Sequence, residues 1–235
     1  MIKVGSLEIG SGATKICVPL MGTTQQGLIE ELAALDGYDL IEWRADFFEG
    51  DIIEMSRLLK EALGNVPLLL TFRTASEGGN GWIAADRFLE IAAHGTYDIL
   101  DVELYFSEVK AAISLVHERN KLVLLSNHEF EKTPGISAMV GRLHRMENLG
   151  ADICKLAVMP KSGEDVLELL RATVEAKKKL VQPLVTISMG NLGLVSRVTG
   201  SVFGSDITFA KGVSSSAAGQ LNISDLKTLL SYFDF

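Results

Sequence analysis

The sequence predicts an α/β fold in which eight parallel strands alternate with helices. Short apolar runs alternate along the chain with longer amphipathic stretches, a pattern typical of consecutive β–α units with a parallel sheet. The Gly-x-Gly-x-x-Gly motif of an open dinucleotide-binding sheet is absent after the first strand. A closed (β/α)8 barrel is therefore favoured, and 235 residues is a typical length for it.

The strands and helices are assigned in order from length and periodicity. Residues 1–14 contain a Gly-Ser-Gly break and are expected to form a β-hairpin that closes the barrel floor. The predicted barrel strands are 15–20, 40–44, 68–73, 99–104, 122–127, 153–158, 184–189 and 207–210. Helices are predicted where apolar residues recur at three- and four-residue spacing. These are 25–35, 52–63, 84–94, 108–118, 136–149, 164–180, 192–199 and 224–233. Residues 1–235 are expected to form one catalytic domain.

The bulk properties exclude several classes of protein. A formal net charge of -8 argues against a nucleic-acid partner. The sequence contains no run of about 20 apolar residues, so no membrane span is expected. Cys17 and Cys154 are each expected to be reduced strand residues, with a disulfide as the alternative. The N-terminal segment lacks the apolar core of a signal peptide, so a cytoplasmic location is expected.

Polar residues gather at the predicted strand ends, where barrels of this kind build their active sites. Strand two ends in Glu42-Trp43-Arg44-Ala45-Asp46, with Glu42, Arg44 and Asp46 expected on one face. The other polar strand-end residues are Arg73, Glu77, Asp101, Glu103, His128, Lys155, Arg197 and the segment 214–220. For Glu42 and Arg44 an internal salt bridge is the competing interpretation. Asp101 and Glu103 are expected to be structural.

Lys155 and His128 carry the strongest chemical signal. Lys155 is flanked by apolar residues within its strand, and burial there disfavours the charged ammonium. A neutral amine is a nucleophile for a carbonyl group. The alternative is that Lys155 points outward between the helices. His128 ends a strand at the functional rim, where a histidine suits acid–base catalysis or a structural contact equally well. No histidine or cysteine set has metal-ligand spacing, so no metal is expected.

Together these residues resemble the type I dehydroquinases of the shikimate pathway, over nearly the whole chain. The resemblance rests on an ordered set of motifs rather than on any one of them. They are Glu42-Trp43-Arg44-Ala45-Asp46, Thr71-Phe72-Arg73, Glu77-Gly78-Gly79, Ser126-Asn127-His128-Glu129-Phe130, Lys132-Thr133-Pro134, Lys155-Leu156-Ala157, Ser196-Arg197, Phe203-Gly204-Ser205 and Gly219-Gln220.

The resemblance implies a metal- and cofactor-free dehydration of 3-dehydroquinate to 3-dehydroshikimate by a homodimer. It implies that Lys155 forms the Schiff base, that His128 is the general acid/base and that Glu77 orients this histidine. Arg197 is implied to bind the substrate carboxylate. Further substrate contacts are implied for Glu42, Arg44 and Arg73, and for Ser216 and Gln220 in a closing loop.

Two positions depart from the family pattern, and two rival functions stay open. Pro19 stands where some members have a serine, and Ala218 stands where many have a proline. These changes are expected to affect one substrate contact and the mobility of the closing loop. The rivals are a class I aldolase, which also uses a barrel lysine, and a non-catalytic ligand-sensing barrel.

Overall fold

Eight parallel strands form the centre of the molecule, in a computed structural model that describes residues 1–10, 12–213 and 219–233. An antiparallel hairpin of β1 (Ile2–Val4) and β2 (Leu7–Ile9) precedes them. The barrel strands are β3 (Lys15–Leu20), β4 (Leu40–Arg44), β5 (Leu68–Thr71), β6 (Ile99–Glu103), β7 (Leu122–Glu129), β8 (Ile153–Val158), β9 (Leu184–Ser188) and β10 (Ile207–Phe209). Their spatial order is β10-β3-β4-β5-β6-β7-β8-β9, so the chain adds each strand from β4 to β9 beside the one before.

The barrel is nearly closed where β9 approaches β10. The backbone N–H of Asp206, just before β10, donates to the carbonyl oxygen of Leu184 in β9 at 2.6 Å. The backbone N–H of Thr186 donates to the hydroxyl of Ser205 at 3.0 Å. These two bonds connect β9 to the residues just before β10, which itself pairs with β3. The predicted (β/α)8 barrel is confirmed.

Helices follow the strands, close to the predicted ranges. They are α1 (Gln25–Ala33), α2 (Ile52–Leu63), α3 (Ala85–His94), α4 (Val109–Glu118), α5 (Ile136–Leu149), α6 (Gly163–Lys177), α7 (Leu194–Val198), α8 (Gly200–Phe203) and α9 (Ile223–Leu230). The helix predicted over 192–199 corresponds to α7, whereas α8 was not predicted. Gly200 lies so close to the next turn that a Cβ there would be 2.7 Å from the carbonyl oxygen of Ser205.

Side chains alternate between two cores along each barrel strand. In β8, Cys154, Leu156 and Val158 pack against the helices, whereas Ile153 and Ala157 pack inside the barrel. Because successive side chains point to opposite faces, Lys155 lies on the inner face. The alternative in which Lys155 points outward is therefore wrong.

The N-terminal hairpin covers the floor of the barrel, as predicted. Val4 and Ile9 are buried and belong to the same apolar cluster as Leu40, Ile99 and other inward-facing strand residues. Burial of this kind contributes roughly 25 cal/mol per Å² of apolar surface. The inward-facing side chains at the floor of the barrel are therefore apolar.

Four aspartates tie the strands together at the floor. Each stands one residue before an even-numbered strand and accepts a hydrogen bond from a backbone N–H of the preceding odd-numbered strand. The pairs are Asp39 with Ile16 at 2.7 Å, Asp98 with Leu68 at 3.0 Å, Asp152 with Val123 at 2.8 Å and Asp206 with Leu184 at 2.7 Å. The bond satisfies a strand-end donor that the sheet leaves unpaired.

Three of these aspartates also meet a basic side chain from the helix before the odd strand. The pairs are Asp98 with Lys60 at 2.7 Å, Asp152 with His117 at 2.9 Å and Asp206 with Lys177 at 2.6 Å. The floor thus repeats one arrangement around the barrel, every two β–α units. Within the described residues, no helix has the length and apolar character needed to span a membrane.

Candidate active site

A cavity of about 140 Å³ lies at the carboxyl ends of the barrel strands. All the described residues with a predicted site role line it, together with several apolar side chains. The lining comprises Glu42, Arg44, Arg73, Glu77, Gly78, His128, Phe130, Lys155, Ala157, Met159, Ile187, Met189, Arg197, Phe209 and Gln220. Ser216 and Ala218 lie outside the described residues, as does most of the predicted closing loop.

Lys155 projects from β8 into this cavity and is 5% exposed. Its Nζ is 3.8 Å from Glu42 Oε1 and 4.0 Å from Asp101 Oδ2. The same nitrogen lies 4.3 Å from the centroid of the Phe209 ring. Both carboxylates are beyond hydrogen-bond distance, so they attract the ammonium without fixing its direction.

His128 stands near the end of β7 and is held by a single carboxylate. Its Nδ1 is 3.0 Å from Glu77 Oε2, and its backbone N–H donates to the same oxygen at 3.1 Å. Burial lowers the pKa of His128 well below its usual value, and the positive charges of Arg73, Lys155 and Arg44 add to this effect. The neutral ring therefore carries its proton on Nδ1 when Glu77 is ionised, which leaves Nε2 as the basic nitrogen.

Glu77 lies in a short 3-10 helix, Ala75–Glu77, that follows β5. Its Oε1 accepts a hydrogen bond from Asn127 Nδ2 at 3.0 Å. Burial raises the pKa of Glu77 to about 7, against the opposing effect of Arg73, whose Nη1 is 3.5 Å away. The carboxyl group thus changes charge near neutral pH.

The turn after Glu77 requires glycine at two positions. Gly78 has a φ of +79°, a conformation that L side chains rarely adopt, and a Cβ there would be 2.2 Å from the Phe130 ring. A Cβ on Gly79 would be 1.9 Å from the carbonyl oxygen of Arg73. The Glu77-Gly78-Gly79 motif therefore has a steric origin, since it lets Glu77 approach His128.

Arg73 is buried in a network of acidic and hydroxyl groups. Its Nη2 donates to Asp101 Oδ2 at 2.5 Å, and its Nη1 donates to Ser126 Oγ at 2.8 Å and to Glu103 Oε1 at 3.3 Å. Burial opposes its charge, but Asp101, Glu103 and Glu77 raise the pKa of Arg73 further above its usual value. Asp101 and Glu103 thus have the structural contacts expected of them.

Glu42 and Arg44 bond to other partners rather than to each other, so the competing interpretation of an internal Glu42–Arg44 salt bridge is wrong. Glu42 Oε1 accepts from the Thr71 hydroxyl at 3.0 Å. Arg44 forms a two-pronged pair with Asp46, at 2.8 Å from Nε and 2.7 Å from Nη2. Asp46 lies in a 3-10 helix, Ala45–Phe47, instead of on the strand face expected for it. From there, its two carboxylate oxygens accept the two hydrogen bonds of the Arg44 guanidinium.

Arg197 reaches the cavity from α7 and is 2% exposed. Burial lowers the pKa of Arg197 to about 10. The neighbouring Ser196 ties α7 to the end of β9, because its Oγ accepts from the N–H of Ser188 at 2.9 Å and donates to the carbonyl of Gly193 at 2.7 Å. The Ser196-Arg197 motif therefore combines an anchor with a buried cation.

Two contacts of the site were not predicted from sequence. Asn127 belongs to a family motif but was given no role, yet its amide donates to the carboxylate oxygen of Glu77 that His128 does not contact. Phe209 faces Lys155 from β10. Within the described part of the chain, no group of three or more histidine, cysteine, aspartate or glutamate residues could hold a metal ion.

Comparison with known proteins gives one consistent result. Residues 16–234 match the family model described as type I 3-dehydroquinase. The chain is 41% identical to 3-dehydroquinate dehydratase of Clostridium kluyveri, over 98% of this chain and 96% of that protein. It is 43% identical to the same enzyme of Listeria innocua, over 97% and 96% respectively.

Solved structures agree with this match. The crystal structure of type I 3-dehydroquinate dehydratase from Clostridium difficile, with covalently modified comenic acid, gives a TM-score of 0.94 at 39% identity. The alignment covers 99% of this chain and 97% of that one. The 3-dehydroquinate dehydratase of Geobacillus kaustophilus gives a TM-score of 0.93 at 37% identity, covering 98% and 95%.

Proposed function

Because the chain belongs to the type I 3-dehydroquinase family, we propose that it dehydrates 3-dehydroquinate through an imine on Lys155, with His128 as the acid and base. The activity is that of a hydro-lyase, which releases 3-dehydroshikimate and water. The family match favours this reaction over the class I aldolase and the non-catalytic ligand-sensing barrel.

Lys155 supplies the electron sink for the reaction. After loss of a proton its amine attacks the ketone carbon, and the resulting carbinolamine expels water to leave an iminium. The positive nitrogen withdraws electrons from the neighbouring carbon more strongly than the ketone oxygen does. This covalent route divides one difficult elimination into easier steps. The inward position of Lys155, with Glu42 and Asp101 near its Nζ, supports this role.

His128 moves the protons. Its Nε2 removes a proton from the carbon next to the iminium, and the electron pair of that C–H bond forms an enamine. The enamine then expels the hydroxyl group on the following carbon, which takes a proton from the His128 imidazolium and departs as water. Hydrolysis of the conjugated iminium frees the product and the lysine. Glu77 stabilises the imidazolium through Nδ1, at 3.0 Å.

The remaining predicted residues are proposed to bind the substrate. Arg197 is the buried cation that we assign to the carboxylate, since a guanidinium offers two donors in one plane. Glu42, Arg44, Arg73 and Gln220 line the same cavity and are proposed to position the ring hydroxyls. For Ser216, a substrate contact is proposed on the family resemblance alone.

The observation that carries the proposal is the convergence of Lys155 and His128 on one cavity, with Glu77 behind the histidine. The test is turnover of 3-dehydroquinate, followed by the ultraviolet absorbance of the conjugated product. Wild type is compared with Lys155→Met and with Lys161→Met, which removes an exposed lysine from the loop after β8. We expect loss of turnover in Lys155→Met alone. Equal turnover in both variants would contradict the assignment of Lys155.

Assembly and location are proposed from the family resemblance. We propose a single catalytic domain that forms a homodimer and works in the cytoplasm. Cys17 and Cys154 are both buried and free of disulfide bonds, as a reducing compartment requires. Size-exclusion chromatography with light scattering would test the dimer, and a monomeric mass would refute it.

A further inference from the structure

We propose that Arg142 is a positioning residue, which sets the proton affinity of Glu77 through the side-chain amide of Asn127. The inference rests on the proposed function of His128 and Glu77. Arg142 lies on α5, outside the cavity, with 22% of its side chain exposed. Its Nη1 donates to Asn127 Oδ1 at 2.8 Å. A chain of hydrogen bonds therefore runs from the barrel exterior to the catalytic histidine.

Arg142 determines which end of the Asn127 amide faces Glu77. A guanidinium has only donors, so the Asn127 oxygen must point toward it. The Nδ2 group is then directed at Glu77 Oε1, at 3.0 Å. Asn127 is only 5% exposed, and water has little access to take the place of either partner.

The direction of this amide matters because it favours ionised Glu77. A donor stabilises the carboxylate, whereas an amide oxygen in the same place would stabilise the protonated acid. Ionised Glu77 accepts a hydrogen bond from the Nδ1–H group of His128. This keeps the proton on Nδ1 and leaves Nε2 free to act as base. Arg142 therefore acts on the reaction through two intermediate side chains without touching the substrate.

Arg142 forms an ion pair with Glu129 through Nη2, which leaves Nη1 for the bond to Asn127. Its distance to Glu129 Oε2, 3.4 Å, is longer than its 2.8 Å bond to Asn127. A pair with Glu129 at that separation and partial exposure contributes about 1 kcal/mol or less. The shorter bond to a buried acceptor is the one that fixes the direction of the Asn127 amide.

The other charged groups around Glu77 and His128 come from the barrel strands and from the loop after β5, and none of them bonds to Arg142. Arg73 and His128 contact Glu77 directly, and Asp101 and Glu103 raise its pKa from β6. Lys155 and Arg44 act on His128 from β8 and β4. Arg142→Leu also leaves Glu129 without its ion-pair partner, so the Asn127→Leu background is used to assign a change in pH dependence to the amide.

The test is the pH profile of kcat and of kcat/KM for wild type, Arg142→Leu and Arg142→Lys. In Arg142→Leu the amide can turn, and the acidic limb is expected to move to higher pH by about one unit. This corresponds to about a tenfold loss of kcat on the acidic side, recovered above the limb, with KM little changed. Arg142→Lys keeps a donor and should retain the wild-type limb. Arg145→Leu is the matched control, since Arg145 stands on the same helix and stacks on Tyr105 instead.

A uniform loss of kcat at every pH, or the same shift in Arg145→Leu, would overturn the inference. Asn127→Leu gives an independent check. The Arg142→Leu change should add no further shift in that background, because its effect passes through the amide. Borohydride trapping of substrate on Lys155 is measured in parallel. A trapped adduct with no shift in Arg142→Leu refutes the role of Arg142 alone, whereas no adduct in wild type refutes the proposed imine on Lys155.

Discussion

Removal of the Glu77 charge should change the pH dependence of folding stability. Burial raises the pKa of Glu77 from 4.5 to about 7 in the folded protein. The folded state therefore holds this proton more tightly than the unfolded chain does. The resulting stabilisation is fully present below about pH 4.5 and is lost as the pH rises through 7. Glu77→Gln removes the titration while keeping the size of the side chain.

The size of the effect follows from the two pKa values. A rise from 4.5 to about 7 corresponds to about 3 kcal/mol of unfolding free energy at most. The wild type thus loses up to that amount between about pH 5 and pH 8 through this one group. The uncharged amide of the Glu77→Gln variant does not titrate and loses none of it. The stability of Glu77→Gln relative to wild type should therefore increase with pH over this range.

Urea unfolding at four or five pH values measures this difference. Trp43 is fully buried and reports the transition by fluorescence. Glu175→Gln, in an exposed part of α6, controls for the general effect of removing one carboxylate. The m-values should agree between proteins, which shows that the free energies are comparable. A stability difference that is flat with pH, or that falls as the pH rises, would refute the raised pKa of Glu77.

Three further predictions concern the site and the barrel floor. His128→Ala should lower kcat by about 10²–10⁴-fold yet allow slow adduct formation on Lys155; full turnover would exclude His128 as the acid–base group. Arg197→Ala should raise KM by roughly 10- to 100-fold, because a hydrogen bond to a charged group contributes about 1.5–3 kcal/mol. Steady-state kinetics measure this change, and a loss in kcat alone would argue against the carboxylate contact. Asp206→Ala should lower the unfolding free energy by about 1–3 kcal/mol, because it leaves the backbone N–H of Leu184 without its acceptor; a change below about 0.5 kcal/mol in urea unfolding would contradict the role of the floor aspartates.

The sequence predicted the strand that carries Lys155 but left open whether Lys155 points into the barrel or outward. The strand predicted over 153–158 has the same bounds in the structure. Its apolar residues divide between the two faces of the sheet, as a period of two requires. Alternation also predicted that Glu42 and Arg44 share one face of β4, and in the structure this face lines the cavity. The barrel itself followed from the number and order of these strands, so the rim residues could be assigned to one site.

Contacts between distant strands could not be predicted in this way. The partners of Arg73 come from β6 and β7, and its sequence neighbours reveal neither of them. The pairing of Arg44 with Asp46 depends on a 3-10 turn that follows the strand directly. Alternation instead predicted that the strand continues through Asp46, because a period of two gives no information on where the strand ends.

A signal for the barrel floor was present in the sequence and was missed. Gly37-Tyr38-Asp39-Leu40, Gly150-Ala151-Asp152-Ile153 and Gly204-Ser205-Asp206-Ile207 share one pattern at the start of an even-numbered strand. Asp98 occupies the equivalent place after Tyr97. Aspartate is a poor strand former. Its repeated occurrence just before the even-numbered strands therefore indicates a specific role, such as a contact with the backbone.

Covalent trapping tests the central claim most directly. The protein is incubated with 3-dehydroquinate, reduced with borohydride, and analysed by intact mass and peptide mapping, with Lys155→Met and Lys161→Met alongside. The proposed mechanism predicts one stable adduct, on the peptide that contains Lys155, in wild type and in Lys161→Met but not in Lys155→Met. Formation of 3-dehydroshikimate with no adduct, or with an adduct on another lysine, would contradict the imine on Lys155.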